Sequence, residues 1–209
     1  MGRGHRFFAA FYDRLAGLLE PKGLSELRKD VVGDARGRVV EIGAGTGLNF
    51  SQYGEGVSEV IATEPDPHML KRARPKAAGG RVPIRVEQAP AERLPVEDAS
   101  VDTVVSTYVL CTVPDPSVAL AEIRRILKPD GRLLFLEHVR APGPRLARWQ
   151  DRLERPWRFF GGGCHPNRDT AANIERAGFT FERLDRFLFT PEPQLVRPQI
   201  KGMARPAAS

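Results

Sequence analysis

A short apolar strand that runs directly into alternating glycines constrains this chain most. Residues 39–42 are apolar except for Glu41, and Gly43, Gly45 and Gly47 follow at every second position. Glycine tolerates positive φ and leaves the main chain bare, so a ligand can lie directly against the backbone. A strand that ends in such a turn predicts a ligand site at the carboxyl end of a parallel sheet.

The spacing of the glycines argues against a dinucleotide-binding turn. The pattern G-x-G-x-x-G would need its third glycine at position 48, which is Leu48. The pattern E-x-G-x-G-x-G instead resembles the first motif of class I S-adenosylmethionine (SAM) methyltransferases. The resemblance implies SAM as cofactor and S-adenosylhomocysteine as product. Glu41 would then face the methionine end of SAM, and the residues implied to contact it are Gly43, Ala44, Gly45, Gly47 and Asn49. The alternative is an ordinary tight strand–helix turn.

A second acid follows the next predicted strand. Glu64 lies at the end of the stretch 59–63, where two carboxylate oxygens can accept hydrogen bonds from both ribose hydroxyls. Pro65 and Met69 are expected to pack on the adenine. The alternative role of Glu64 is that of an acid stabilising the start of a helix.

Two further segments resemble later motifs of the same methyltransferases. In the loop 89–95, Pro90 stands where the family has Asp, which leaves the main chain of Ala91 and the carboxylate of Glu92 as the expected adenine contacts. Thr107 and Tyr108 follow the fourth predicted strand, where the family places its reaction centre. The Asn/Asp-Pro-Pro-aromatic signature of DNA amino methylases does not occur there, so a nucleic acid is not the expected partner.

A closer resemblance joins segments outside the cofactor motifs. Residues 107–113, 137–139, 160–164 and 196–202 resemble the methyltransferase-like alkyl-thiol S-methyltransferases. That resemblance implies a small, fairly apolar thiol as the methyl acceptor. Animal members have an apolar N-terminal membrane anchor, whereas the segment 7–19 is short and charged, which leaves room only for peripheral membrane contact.

The order of the predicted elements indicates an α/β fold. Strands around 38–42, 59–63, 84–87, 101–106 and 133–136 alternate with helices around 68–74 and 118–127, which predicts a doubly wound, mostly parallel seven-stranded sheet with helices on both faces. A turn is expected at 128–131. Beyond residue 140 we expect helices near 145–160 and 168–177, then strands near 179–189 and 195–204.

One domain accounts for all 209 residues. It divides into an N-terminal helical lid (1–36), a cofactor-binding core (37–140) and a substrate-side part (141–209). Tyr12 in the lid is expected to lie over the cofactor, or else to pack into the core. With no long apolar run and no signal peptide, the predicted location is the cytoplasm.

The charge of the chain does not decide its function. Of the net charge of +6, residues 141–209 carry 12 Lys and Arg against 7 Asp and Glu. Such a tail suits an acidic substrate, an anionic membrane surface or nucleic acid, or it is simply a solvated surface. The aromatic residues Trp149, Trp157, Phe159 and Phe160 predict a pocket wall, a membrane-contacting patch or ordinary core packing.

His138, at the end of the apolar strand 133–136, is the candidate catalytic residue. A thiol with a pKa of about 8.5 needs only a modest base, and His138 would supply it; the alternative is a structural histidine. Cys111 and Cys164 are expected to be free thiols that line the pocket or fill the core. The spacing of the cysteines and histidines shows no metal motif, so no metal is predicted.

The favoured function is therefore SAM-dependent methylation of a small apolar acceptor, first a thiol. The alternatives are a carbon or oxygen methylase of a quinone or polyketide, a phospholipid amine methylase at a membrane surface, and a SAM-binding module without catalysis. The oligomeric state is left open.

Overall fold

The computed structural model describes residues 17–207, so Tyr12 and the rest of residues 1–16 of the predicted lid lie outside the described residues. Seven strands form one mixed sheet in the order β3-β2-β1-β4-β5-β7-β6. The strands are β1 Gly37–Ile42, β2 Val57–Thr63, β3 Ile84–Glu87, β4 Val101–Thr107, β5 Leu127–His138, β6 Phe179–Leu188 and β7 Pro198–Pro206. The helices are α1 Leu24–Val32, α2 Pro67–Ala78, α3 Pro116–Ile126, α4 Pro144–Phe160 and α5 Thr170–Arg176.

Strands β1 to β5 pair in parallel, and β7 enters antiparallel between β5 and β6. The strand order reverses between the paired strands β1 and β4, so the loops that follow them run in opposite directions and leave a crevice at their carboxyl ends. The prediction of a doubly wound, mostly parallel seven-stranded sheet is confirmed.

The core is split between the two faces of the sheet. Val40 and Phe135 belong to one buried cluster, which includes residues of α3 and α5. Val39 and Leu134 belong to the other, which includes residues of α1 and α2. Neighbouring residues of a strand point to opposite faces, so a strand covered on both sides must be apolar at every position. This explains the continuous apolar runs of the central strands.

Two helices start at Asp-Pro pairs. Asp66 accepts a hydrogen bond from the backbone N of His68 at 2.7 Å, and Asp115 accepts one from the N of Ser117 at 2.8 Å. The following proline supplies a helical φ where no N–H partner is needed. Both helices therefore begin right after a strand-end loop and hold those loops in place.

The prediction of a separate turn at 128–131 is wrong, because the segment lies within β5. Val101 pairs with Leu127 and Thr103 with Arg132, so β5 has three more residues than β4 between these pairs. The segment is an irregularity inside β5, which starts six residues before the predicted strand at 133. The glycine turn is followed by a short 3-10 helix, Phe50–Gln52. No helix within residues 17–207 is both long and apolar enough to cross a bilayer.

Gly202 in β7 provides a sharp test of this packing. A Cβ there would lie 2.1 Å from the carbonyl O of Arg183 in β6 and 2.9 Å from the Phe135 ring. We expect Gly202→Ala to lower the free energy of unfolding by about 2–3 kcal/mol, because backbone and core must shift to admit the methyl group. Urea denaturation measures it.

Gly54→Ala is the matched control, since nothing lies within 4 Å of a Cβ at Gly54. That variant is expected to be neutral or slightly stabilising. Equal effects of the two substitutions would contradict this packing of β6 against β7.

Candidate functional site

The glycine turn follows β1 at the carboxyl edge of the sheet. Gly43, Gly45 and Gly47 have φ of +56°, +56° and +79°, a region that residues with a Cβ rarely adopt. A Cβ on Gly43 would also lie 2.5 Å from Cγ2 of Val109. The turn therefore carries bare backbone, with Ala44 buried beside it. It fits a ligand that needs close approach to the main chain.

Glu41 is buried at the end of β1 in a dense hydrogen-bond network. Its carboxyl group accepts bonds from Asn49 Nδ2 at 2.9 Å and from the Tyr53 hydroxyl at 2.7 Å. Burial raises its pKa to about 7, against the opposing effects of Tyr53, Asn49 and the charge of Arg28. A buried carboxyl group with a pKa near neutral pH is well suited to pair with a cationic ligand group.

Asn49 connects this acid to β4 and α1. Its amide also donates to Thr107 Oγ1 at 2.9 Å, and its oxygen accepts from Arg28 Nη1 at 3.1 Å. Arg28 in turn pairs with Glu20 at 3.0 Å. The described part of the predicted lid thus contacts the site through Arg28.

Glu64 lies at the end of β2 beside the glycine turn. One carboxylate oxygen accepts from the N of Gly45 at 3.0 Å, and the other from the N of Asp66 at 2.8 Å. A carboxylate has about four acceptor positions, so two remain for further donors. Burial raises the pKa of Glu64, which the two backbone hydrogen bonds oppose.

The remaining predicted cofactor residues do not join this network. Pro65 is exposed at the start of the loop before α2, whereas Met69 is buried in that helix. Ala91 is buried and Glu92 half-buried in the loop after β3. Within residues 17–207, no hydrogen bond links Ala91 or Glu92 to Glu41, Asn49 or Glu64. Their roles toward a cofactor stay predictions.

Tyr108 takes an unusual backbone conformation right after β4. Its φ is +59°, although it is not glycine, and such strain is commonly kept at functional sites. The hydroxyl donates to Gln199 Oε1 at 3.0 Å, and the ring stacks on His138 with centroids 4.5 Å apart. The stack brings the ends of β4 and β5 into direct contact.

Glu137 holds the turn that follows Tyr108. Its carboxyl group accepts hydrogen bonds from the backbone N of Val109, Leu110 and Cys111, each at 3.0 Å, and from the Ser106 hydroxyl at 2.7 Å. On the other side, Arg168 donates to the carbonyl O of residues 110 and 113. The segment 109–113 is therefore fixed by a carboxyl group and a guanidinium from outside it.

His138 has both ring nitrogens engaged. Nε2 lies 3.0 Å from Glu192 Oε2, and Nδ1 lies 3.5 Å from Cys164 Sγ and 3.8 Å from Cys111 Sγ. Burial lowers the pKa of His138, but Cys164 and Glu192 outweigh it and raise the pKa to about 10. In this state the imidazole keeps its proton, and acting as a base would require the loss of one of these contacts.

The two cysteines are free, buried and close together. Burial raises the pKa of the Cys111 thiol well above its ordinary value. The pKa of Cys164 is lowered well below its ordinary value, because Cys164 forms a hydrogen bond with Cys111 and lies beside the charge of His138. Trp157 packs against this pair. The other aromatic residues of α4 lie on the surface, with Trp149 54%, Phe159 78% and Phe160 71% exposed.

Sequence reasoning missed the residues that position the site. Arg28, Tyr53, Glu137, Glu192 and Gln199 are all buried and polar, or pair with a buried acid. A signal existed for Glu137 alone, since an acid directly after four apolar strand residues is unusual unless it is hydrogen-bonded. The others come from distant segments and carry no local pattern.

Comparison with known proteins connects this geometry to an activity. Residues 40–135 match the family model described as a methyltransferase domain. The chain is 38% identical over 174 residues to thiol S-methyltransferase TMT1B of Rattus norvegicus, covering 79% of this chain and 69% of the relative. It is 38% identical over 180 residues to TMT1B of Homo sapiens, covering 81% and 72%.

A solved structure shows the same fold. The crystal structure of a SAM-dependent methyltransferase from Thermotoga maritima matches with a TM-score of 0.69 at 21% identity, covering 97% of this chain and 98% of that chain. The likeness extends beyond the cofactor motifs to the antiparallel end of the sheet.

The burial of Glu41 predicts a pH dependence of stability. The folded protein keeps a proton on Glu41 up to about pH 7, whereas the ordinary pKa is 4.5. Its free energy of unfolding therefore falls as pH rises through that window. Glu41→Gln removes this ionisation. The free energy of unfolding of wild type, relative to that of the variant, should therefore fall by about 2–3 kcal/mol between about pH 5 and about pH 8.

Urea denaturation across this pH range measures the difference between the two proteins. Glu55→Gln, at an exposed loop position, is the control and should parallel wild type. Wild-type and Glu41→Gln curves that stay parallel would contradict the description of Glu41 as a buried acid with a raised pKa.

Proposed function

This chain belongs to the class I SAM-dependent methyltransferases, in the family of the TMT1B thiol S-methyltransferases, and we propose that it methylates the sulfur of a small, fairly apolar thiol. Its identification as a SAM-dependent methyltransferase is confirmed, and so is SAM as cofactor. The thiol acceptor is the proposal. The observation that carries it is the 38% identity to TMT1B over 79% of this chain, well beyond residues 40–135.

The residues at the carboxyl ends of β1 and β2 suit SAM. The bare backbone at Gly43 and the free acceptor positions of Glu64 fit a nucleoside with a hydroxyl-bearing ribose. The buried Glu41, whose pKa is about 7, fits the cationic methionine end of SAM. We propose that these residues hold the cofactor, which supplies a methyl group on a positively charged sulfonium.

The ends of β4 and β5 are the proposed acceptor side. Tyr108 and His138 stack there, and Glu192 and Gln199 are buried behind them. This chain's part is to orient the acceptor sulfur in line with the methyl group and to exclude water, and orientation can contribute about 7–11 kcal/mol. A low-dielectric site also favours a reaction in which a thiolate and a sulfonium neutralise each other.

A second candidate is methylation of a lipid amine. Helix α4 exposes Trp149, Leu153, Phe159 and Phe160, and arginines lie among them at 145, 148, 152, 155 and 158. An apolar face with a basic flank is typical of helices that lie on anionic membranes. Peripheral membrane contact is therefore part of this candidate, whereas a cytoplasmic location stays a prediction of the sequence.

A panel of acceptors tests the function. Purified protein is incubated with SAM and an alkyl thiol, a quinol, a phenol or phosphatidylethanolamine vesicles, and S-adenosylhomocysteine release is measured with mass spectrometry of the product. We expect release with the alkyl thiol and formation of its methyl thioether. The protein should remain in the supernatant when the vesicles are sedimented.

Glu41→Gln is the matched variant in this experiment. Loss of a charge-assisted contact should weaken SAM binding about tenfold or more in calorimetry, and release should fall with it. Release only with the quinol or the lipid amine would reject the thiol proposal. SAM binding without release from any acceptor would instead identify a non-catalytic binding module.

A further inference from the structure

Three metal-ligating side chains converge at the acceptor side of the site. Cys111 Sγ, His138 Nδ1 and Cys164 Sγ lie within 4.8 Å of one another, and no other such group occurs in the described part of the chain. His138 is 27 residues from Cys111 and 26 from Cys164, so no spacing motif reveals the group. The fold alone assembles it.

The two nitrogen–sulfur distances in this group match those of a tetrahedral zinc centre. Zinc bonds of about 2.3 Å to sulfur and about 2.0–2.1 Å to nitrogen, at tetrahedral angles, place sulfur and nitrogen about 3.6 Å apart. The observed separations of Nδ1 from the two sulfurs are 3.5 and 3.8 Å. The two sulfurs lie within 4.8 Å of each other, and a tetrahedral zinc ion would hold them about 3.8 Å apart. The three side chains are therefore close to the spacing that a zinc ion requires.

Each ligand is held from behind. Glu137 accepts from the N of Cys111 at 3.0 Å, and the carbonyl O of Cys111 accepts from the N of His165 at 2.8 Å. The second bond ties the segment that carries Cys164 to the segment that carries Cys111. Metal sites depend on this kind of support, because loosely held ligands lose affinity.

The far side of His138 is arranged as in known metal sites. Nε2 faces Glu192 Oε2 at 3.0 Å, and Gln199 Nε2 donates to the same oxygen at 2.6 Å. A carboxylate on the outer nitrogen keeps a proton there, so that Nδ1 can bind a metal once the metal displaces the proton from Nδ1. The chain thus combines three ligands with an orienting carboxylate.

We propose that Cys111, His138 and Cys164 bind one Zn²⁺ ion, and that its fourth position takes the acceptor thiol as a thiolate. Two sulfurs and one imidazole suit zinc, and three protein ligands are typical of catalytic rather than structural sites. The second half of this inference rests on the proposed thiol acceptor. The first half, the metal site itself, does not.

The chemistry of the step balances without an oxidant or reductant. The acceptor thiol loses its proton to solvent as its sulfur binds the cation. The sulfur then uses a lone pair to form a bond to the methyl carbon, while the old carbon–sulfonium bond breaks and its electron pair stays on the departing sulfur. The product is a neutral thioether, a weaker donor than a thiolate, and it leaves the cation.

Metal content is the first test. Full-length protein without a histidine tag is produced in zinc-supplemented medium, dialysed and measured by plasma mass spectrometry. We expect one zinc per chain, and less than a tenth of that in Cys164→Ser and His138→Asn. His165→Asn is the matched control, because His165 pairs with Glu154 instead, and it should keep the zinc.

The folding of each variant is checked by circular dichroism and by SAM binding in calorimetry. Glu192→Gln, which leaves all three ligands in place, should weaken zinc affinity about 10- to 100-fold. Wild type without metal would overturn the proposal, whether its cysteines are joined in a disulfide or remain as a thiolate–imidazolium pair. Thiol titration and intact mass distinguish these two states. Zinc retained by Cys164→Ser would also overturn it.

Cobalt substitution tests the fourth position. Co²⁺ in the site should give sulfur-to-metal absorption bands, and addition of an alkyl thiol should strengthen them as the number of sulfur ligands rises from two to three. Unchanged bands at saturating thiol would refute binding of the acceptor by the metal. They would leave the metal site itself standing.

The effect on turnover separates this inference from the proposed function. A thiol of pKa about 8.5 is only about 3% ionised at pH 7, so removing the metal should slow thiol methylation about 10- to 30-fold there and much less near pH 9. Undiminished thiol methylation by metal-free protein would overturn the metal's role while supporting the thiol acceptor. Bound zinc without thiol methylation would reject the acceptor and retain the site.

Discussion

The proposed acceptor side of this enzyme depends on the hydrogen bonds that the carboxyl group of Glu137 accepts. Glu137 lies at the end of a central strand, is completely buried, and accepts three backbone N–H groups and a serine hydroxyl. A turn with unpaired amides could not be buried at this place without such a partner. Through that turn Glu137 sets the strained backbone of Tyr108 and the position of Cys111, and with them the stack on His138.

The buried glutamates Glu41 and Glu137, at the ends of β1 and β5, have different roles. The partners of Glu137 are mostly backbone amides, which serve to fix a loop. Those of Glu41 are the side chains of Asn49 and Tyr53. Asn49 also bonds to Thr107 in β4 and to Arg28 in α1. Glu137 therefore has a structural role. Glu41 is a buried acid with a pKa of about 7, whose environment suits a cation, and we propose that this cation is the methionine end of SAM.

Sequence patterns predict well those strands and helices that depend on interactions between residues close together in the chain. The alternation of buried strands with helices is confirmed, because a strand covered on both faces must be continuously apolar. The Asp-Pro pairs at the start of α2 and α3 fix where these helices begin, because the Asp side chain caps the first turn and the proline has a helical φ. The segment 128–131 was mistaken for a turn because Pro, Asp and Gly favour turns locally. Pairing with β4 absorbs it into β5 as an irregularity.

The chain's own sequence determined the fold class, the glycine turn, the acids that end β1 and β2, and the cofactor, since each depends on residues close together in the chain. Only the tertiary structure decided which distant side chains meet. It brought Cys111 and Cys164 to one nitrogen of His138 and Glu192 to the other, and it set Arg28 against Asn49 and Thr107. The reason is that contacts between segments tens of residues apart arise from strand order and loop docking, which leave no periodic pattern in the sequence.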